Sequence, residues 1–362
     1  MKRFLTTFLF CLLLSAALPC GAQNTRPWTA GPLSWSEFSQ VQGEDAASYA
    51  SFSLMRENRI VKAKGISWKY QDVCAAFDPG QSWYNPWVAR VADLQRHQQE
   101  FDILQHFAAQ YRDDFLFYND QQYHRFEEFL GDDEKGKLSE AAYLEQYRAA
   151  LDAFHATGDA SPYPASREPF DITRFPVRMA AGSKVGHFSF LSVFPLGGLA
   201  QLFPPAFGFS GGLGYREGKS VLGLDLLYGI CGLTIEGDEA YKTIFTSGVY
   251  LGFLASYSRV LFSVGKAECS LFGGVGYTSW KKGVVMSHPL ACGLTLSEGI
   301  TADIPLHRTY NFLAKSPQAQ DLGVRVKLYV DEMYVAAQKT VMPTVNLSVG
   351  VNFGFTKLSR AE

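Results

Sequence analysis

The sequence predicts an α+β N-terminal domain followed by an all-β, eight-stranded antiparallel membrane barrel. Three observations predict it. Glycine divides the chain, with 8 of the 33 in residues 1–178 and 25 in residues 179–362. The second half alternates apolar and polar residues with the period of a strand. Its polar faces carry Gly, Ser, Asn and Ala with few charges, where a face turned to bulk water tends to carry Lys, Glu and Thr. That composition suits the narrow interior of an eight-stranded barrel, which side chains just fill.

The chain opens with Met1-Lys2-Arg3, an apolar run from Phe4 to Leu18, and small residues up to Ala22. This pattern predicts a secretory signal peptide over 1–22. The alternative, a lipidated Cys20, meets Pro19 where such a signal carries a small residue. The predicted domains are a periplasmic α+β domain over 23–160, a linker over 161–180 and an outer-membrane barrel over 181–358. Within the first domain, 59–78 reads as two strands, 79–87 as a turn-rich loop, and 88–117 and 138–155 as helices, the second capped by Ser139. The stretch 156–171 is rich in Pro, Ser, Gly and Asp, as linkers are.

Eight strands are expected in the second half, at about 185–194, 205–216, 219–231, 242–258, 267–279, 291–304, 321–334 and 344–356. In the last, Val345, Leu347, Val349, Val351, Phe353 and Phe355 share one face, opposite Asn346, Ser348, Gly350 and Asn352. Each strand is near or above the nine to eleven residues that cross a bilayer when tilted. Short turns alternating with longer loops are the habit of outer-membrane barrels; the connection at 305–320 breaks it. Glu298 falls on an apolar face unless a bulge intervenes. Aromatics near strand ends, Tyr215, Tyr228, Tyr257, Tyr277, Trp280, Tyr329 and Phe355, suggest interfacial girdles. The few charges on the polar faces are Asp225, Asp303, Arg325 and Lys327, of both signs. Buried charges need partners, so these are expected to pair in the lumen and make a plug.

In pattern, residues 185–356 resemble the small outer-membrane β-barrel proteins of Gram-negative bacteria, of the OmpA/OmpX type. A second resemblance covers about 33–115. "LSWSEF" (33–38), "GISWKY" (65–70), "AAFDPGQSW" (75–83) and "LQRHQQEFDI" (94–103) follow in order. They look like a Bacteroidetes-type family of secreted zincin-like proteins of unknown function, whose helix reads HEQxHFDI. Zincin chemistry needs two histidines four apart on one helical face and a glutamate to activate water. Here Gln98 stands in place of the glutamate and Phe101 in place of the second histidine, so the motif is degenerate. His97 and Glu100 still share a face, at 100° per residue, and with His124 or His155 they make a candidate metal site. His106 lies about 180° from His97 and is expected to pair with Asp102 instead.

Formal charge is −2, so bulk electrostatics give no reason to expect nucleic-acid binding. Cys74, Cys231, Cys269 and Cys292 survive cleavage, and one disulfide among the last three or free thiols are both open. The chain is therefore read as an outer-membrane protein with its N-terminal domain in the periplasm, non-catalytic and without cofactor. Its expected partners are lipid and an unknown periplasmic protein. One alternative is a zinc-dependent hydrolase using His97 and Glu100 with the barrel as anchor. The other is a soluble secreted β-sandwich binding protein.

Overall fold

The computed structural model describes residues 25–42, 46–117, 140–165, 168, 170–232, 247–282, 289–314, 316–336 and 339–361. The expected leader, the Ser139 cap and His124 lie outside them. The described residues form two compact units. The first holds residues up to 59, 71–117 and 140–171; the second holds 60–70 and everything from 172 onward.

In the first unit, strands β1 (Arg26–Pro27), β2 (Ser39–Gln40) and β3 (Ser48–Tyr49) are short; the long strands β4 (Phe52–Ala63) and β5 (Ile66–Phe77) belong to it except for their hairpin tip, residues 60–70, which is part of the second. β4 and β5 turn through Lys64 and Gly65, both at positive φ (51° and 78°), as a two-residue hairpin turn demands. β6 (Trp83–Tyr84) pairs with β2 and β3. Helix α1 (Val91–Phe115) buries Phe101, Ile103, Leu104 and Phe107 against Phe77, Trp28 and Phe38. Helix α2 (Glu140–Thr157) adds Tyr147, Ala150 and Phe154 to the same core. The polar residues of α1 are as tightly used as the apolar ones. Gln98 accepts from the Leu33 backbone N–H at 2.7 Å, Asp102 from the Trp28 indole at 2.7 Å, and Gln105 from the Ala75 N–H at 2.9 Å.

The second unit is a closed ring of eight strands. They are β7 (Val177–Pro195), β8 (Ala206–Glu217), β9 (Ser220–Gly232), β10 (Ser247–Val264), β11 (Ala267–Lys282), β12 (Pro289–Asn311), β13 (Gln318–Val335) and β14 (Thr340–Arg360). Each pairs antiparallel with the next, and β14 returns to β7. Closure leaves no free edge in the ring, and it overturns the two-sheet sandwich alternative. All eight expected strands are present. The strand expected to open the barrel at 185 starts at Val177, so the last residues of the predicted linker are paired backbone. The long connection expected at 305–320 is a correction as well. A register shift between Pro305 and His307 absorbs the proline, and β12 continues to Asn311, with β13 opening at Gln318. Beyond that shift, β12 also pairs in parallel with β5, Arg308 to Asn311 against Ile66 to Lys69, and Trp68 packs edge-on to Tyr310 with centroids 4.5 Å apart.

The faces of the ring follow the alternation. Leu222, Leu224, Leu226, Tyr228 and Ile230 point outward from β9, with Leu226 64% exposed, while Asp225 and Leu227 point in at 5% and 3%. Glu298 faces outward with no bulge beside it, on the hydrogen-bonded row of Gly273 and Val330. Two expected girdle residues turn the other way. Trp280 and Tyr329 are buried inside the ring, where Trp280 meets Phe203 (4.9 Å) and Tyr250 (4.9 Å). Helix α3 (Gly198–Leu202) brings Leu199 and Phe203 onto this cluster, which also holds Met333 and Met342. Cys74, Cys231, Cys269 and Cys292 are all unpaired.

Gly276 faces inward, and a Cβ there would run into the Phe253 carbonyl of β10. Gly273, on the outer side of the same strand, has nothing nearer than the Ser297 carbonyl at 3.9 Å. Gly276→Val should therefore abolish the folded, heat-modifiable barrel on an unboiled gel, and Gly273→Ala should leave it intact.

Candidate functional site

Two clusters contain the residues singled out by the sequence. In the first unit they gather around Glu100. His97, on the inner face of α1, is 4% exposed. Its Nδ1 lies 2.8 Å from one Glu100 oxygen, and its Nε2 lies 2.9 Å from the Ser48 hydroxyl on β3. His155, near the end of α2, places its Nε2 2.8 Å from the other Glu100 oxygen. Arg96 stands further off, 3.8 Å from the same oxygen. Burial pushes the Glu100 carboxyl up, but hydrogen bonds from His97 and His155 and the nearby positive charge outweigh it, so the group titrates below its ordinary range. The carboxylate is therefore ionised at neutral pH.

The structure thus brings His97, Glu100 and His155 together, but as a chain of hydrogen bonds in which each pair faces each other. Among the described residues, no three His, Cys, Asp or Glu side chains are grouped as metal ligands. The expected Asp102–His106 pair does not form. Asp102 is held by Trp28 and Gln98 (both 2.7 Å), and His106 bonds the Pro164 carbonyl (3.0 Å) and Gln110 (2.9 Å). Sequence reasoning missed Ser48. It lies 49 positions from His97, and no local pattern marks it out.

In the ring, the four named charges sit inside and meet in pairs. Arg325 forms a bidentate pair with Asp303 (2.7 and 2.9 Å) across the β12–β13 row, and Asn352 donates to Asp303 at 2.8 Å. Lys327 of β13 reaches Asp225 of β9 at 2.9 Å, and its ammonium rests on the Phe272 ring at 3.9 Å. His187 lies between the two pairs, 3.2 Å from Arg325 and 3.8 Å from Asp225. Gly212 makes this possible, since a Cβ there would strike both Asp225 and His187. Two further pairs, Arg216–Glu268 (2.8 Å) and Arg308–Asp321, lie towards the strand ends near the short turns. Asp331, 2% exposed, accepts from Tyr250 (3.1 Å), Asn346 (2.8 Å) and Ser297. A cavity of about 210 Å³ remains among His187, Arg216, Asp225, Glu268 and Arg325.

No protein-family model matches the chain, and no curated protein does. Among solved structures, the chain is similar to Ail, the attachment invasion locus protein of Yersinia pestis, solved with the heparin analogue sucrose octasulfate. The identity is 7% over 48% of this chain and 99% of that one, with a TM-score of 0.30. It is also similar to Neisserial surface protein A, at 15% identity over 48% and 97% with a TM-score of 0.28. OprG of Pseudomonas aeruginosa, an outer membrane protein, matches at 13% identity over 53% and 100% with a TM-score of 0.27.

Breaking a buried pair by removing one partner costs about 3–5 kcal/mol, while replacing both is far milder. Lys327→Met should therefore lower the temperature of the gel-mobility transition, and adding Asp225→Asn should restore most of it. In the first unit, Glu100→Gln should destabilise by about 1–3 kcal/mol at neutral pH. Because the folded carboxyl titrates below its ordinary range, its stabilisation is complete above that range and is lost as pH falls through the folded value. The gap between wild type and variant in urea unfolding should accordingly shrink on acidification.

Proposed function

We propose that this chain is an outer-membrane β-barrel protein with a closed lumen, whose first unit lies in the periplasm and works by binding another envelope component. The single observation that carries the membrane reading is the outer face of the ring. Phe190 (68% exposed), Leu213 (70%) and Leu222 (63%) are typical of an apolar surface that runs around it. Exposed apolar patches of more than a few hundred Å² are rare on soluble monomers, whereas a barrel in lipid requires such a surface. Tyr215 and Tyr257 lie on one row through Leu222, and Tyr277 and Tyr334 on another through Leu294, a placement that suits amphipathic rings at the two interfaces.

An even strand number puts both ends of the ring on the side of the short turns at 218–219 and 265–266, which in this reading is the periplasm. The closed lumen rests on the cross-lumen Lys327–Asp225 pair and on the apolar cluster around Trp280 and Phe203. The barrel itself then serves as an anchor and carries no chemistry. Gln98 and Phe101 stand where zinc catalysis needs its glutamate and second histidine, so the unit works without that metal.

Isolated outer membranes carrying the protein, run boiled and unboiled side by side, test this reading. Small folded barrels resist SDS until heated, so a heat-dependent mobility shift in the membrane fraction is expected. Recovery of the protein from the soluble fraction, with no shift, would overturn it. In planar bilayers the purified protein should give no steady conductance.

A further inference from the structure

We propose that Ser48, His97 and Glu100 form a nucleophile, a general base and its orienting acid, and that the first unit cleaves carboxylic esters. The order of contacts carries the argument. A serine activated by histidine needs its hydroxyl on Nε2 while a carboxylate holds Nδ1–H, so that Nε2 is left as the acceptor. Here Ser48 Oγ is 2.9 Å from Nε2 and Glu100 Oε2 is 2.8 Å from Nδ1. With Glu100 ionised, one tautomer satisfies both contacts: Nδ1–H donates to the carboxylate and Nε2 accepts from the hydroxyl.

The carboxylate is itself fixed. His155 bonds its second oxygen at 2.8 Å, so Glu100 presents the first to His97 in one geometry. Three elements contribute: β3 supplies Ser48, α1 supplies His97 and Glu100, and α2 supplies His155. His97 is enclosed, with the Phe38 ring 6.0 Å from its own, while Ser48 at the other end of the chain of contacts is only partly buried.

The reaction follows from these positions. Ser48 Oγ attacks the ester carbonyl carbon as its proton passes to His97 Nε2. The C–O bond to the alcohol breaks, and the departing alkoxide takes that proton. Water then adds to the acyl-serine, giving its proton to Nε2, and the acid leaves as Ser48 recovers it. No co-reactant other than water is needed. The inference does not depend on where the barrel resides.

The test uses the full chain in detergent with a fluorophosphonate probe, followed by peptide mass spectrometry, and hydrolysis of p-nitrophenyl acetate alongside. Labelling at Ser48 is expected, abolished in Ser48→Ala and slowed at least about 100-fold in Glu100→Gln. S48C offers a second measurement, since a thiol at that position beside His97 should alkylate with iodoacetamide well ahead of Cys74, Cys231, Cys269 and Cys292. An unlabelled Ser48 in protein that keeps the wild-type urea transition of the first unit, together with an unreactive S48C, would overturn the triad and leave Ser48 as a hydrogen-bond partner of a buried histidine. Stoichiometric zinc, lost in His97→Ala, would overturn it in favour of a metal centre. The gel-mobility shift reports the barrel independently of either result.

Discussion

Closure of eight strands into a ring is the constraint on which the rest of the second unit depends. A ring this small leaves an interior that side chains largely fill. Large inward residues gather at one end, where Trp280, Tyr250 and Phe203 pack together, and Phe272 continues them beneath Lys327. Elsewhere the interior is built from glycine, serine, asparagine and paired charges. Gly212 and Gly276 show the limit of available space: at each, a methyl group would meet a neighbouring side chain or carbonyl. Charges can enter such a space only with partners beside them. Asp303 takes Arg325 and Asn352, and Asp225 takes Lys327.

The first unit answers to a different constraint, a long helix that is neither strongly amphipathic nor exposed. Helix α1 buries a broad face, so its polar side chains must also find partners. Gln98, Asp102 and Gln105 do so by gripping the backbone or indole of the segments packed on them. The same rule explains the Glu100 cluster. A carboxylate that is largely enclosed is tolerated because two imidazoles meet its two oxygens. Structural satisfaction and a geometry fit for acyl transfer thus coincide at this point.

Much of the fold was legible because period-two alternation is a direct record of inside and outside. On β9, β13 and β14 the outward and inward sets match the alternation residue for residue. The failures have physical causes. Trp280 and Tyr329 looked like girdle residues because aromatic character alone does not say which face a strand turns to the lumen. The connection after Pro305 looked like a loop because proline ends regular pairing, and a register shift that lets a strand continue past it leaves no local mark. In the site, helical geometry alone placed His97 beside Glu100, since three residues span most of a turn. Ser48 was invisible because its tie to His97 is tertiary, and so were the partners that keep Asp102 from His106.

The Lys327–Asp225 pair joins the seventh strand of the ring to the third, from opposite sides of the lumen. Neighbouring strands can associate hairpin by hairpin, but this contact has no meaning until the curvature of the sheet is nearly complete. During assembly both groups must therefore remain hydrated, and water has to travel inside the curling sheet until its last seam forms. Shedding that water and pairing the charges become one event, simultaneous with the joining of β14 to β7. A ring stalled one hairpin short would carry a wet, charged trough along its length.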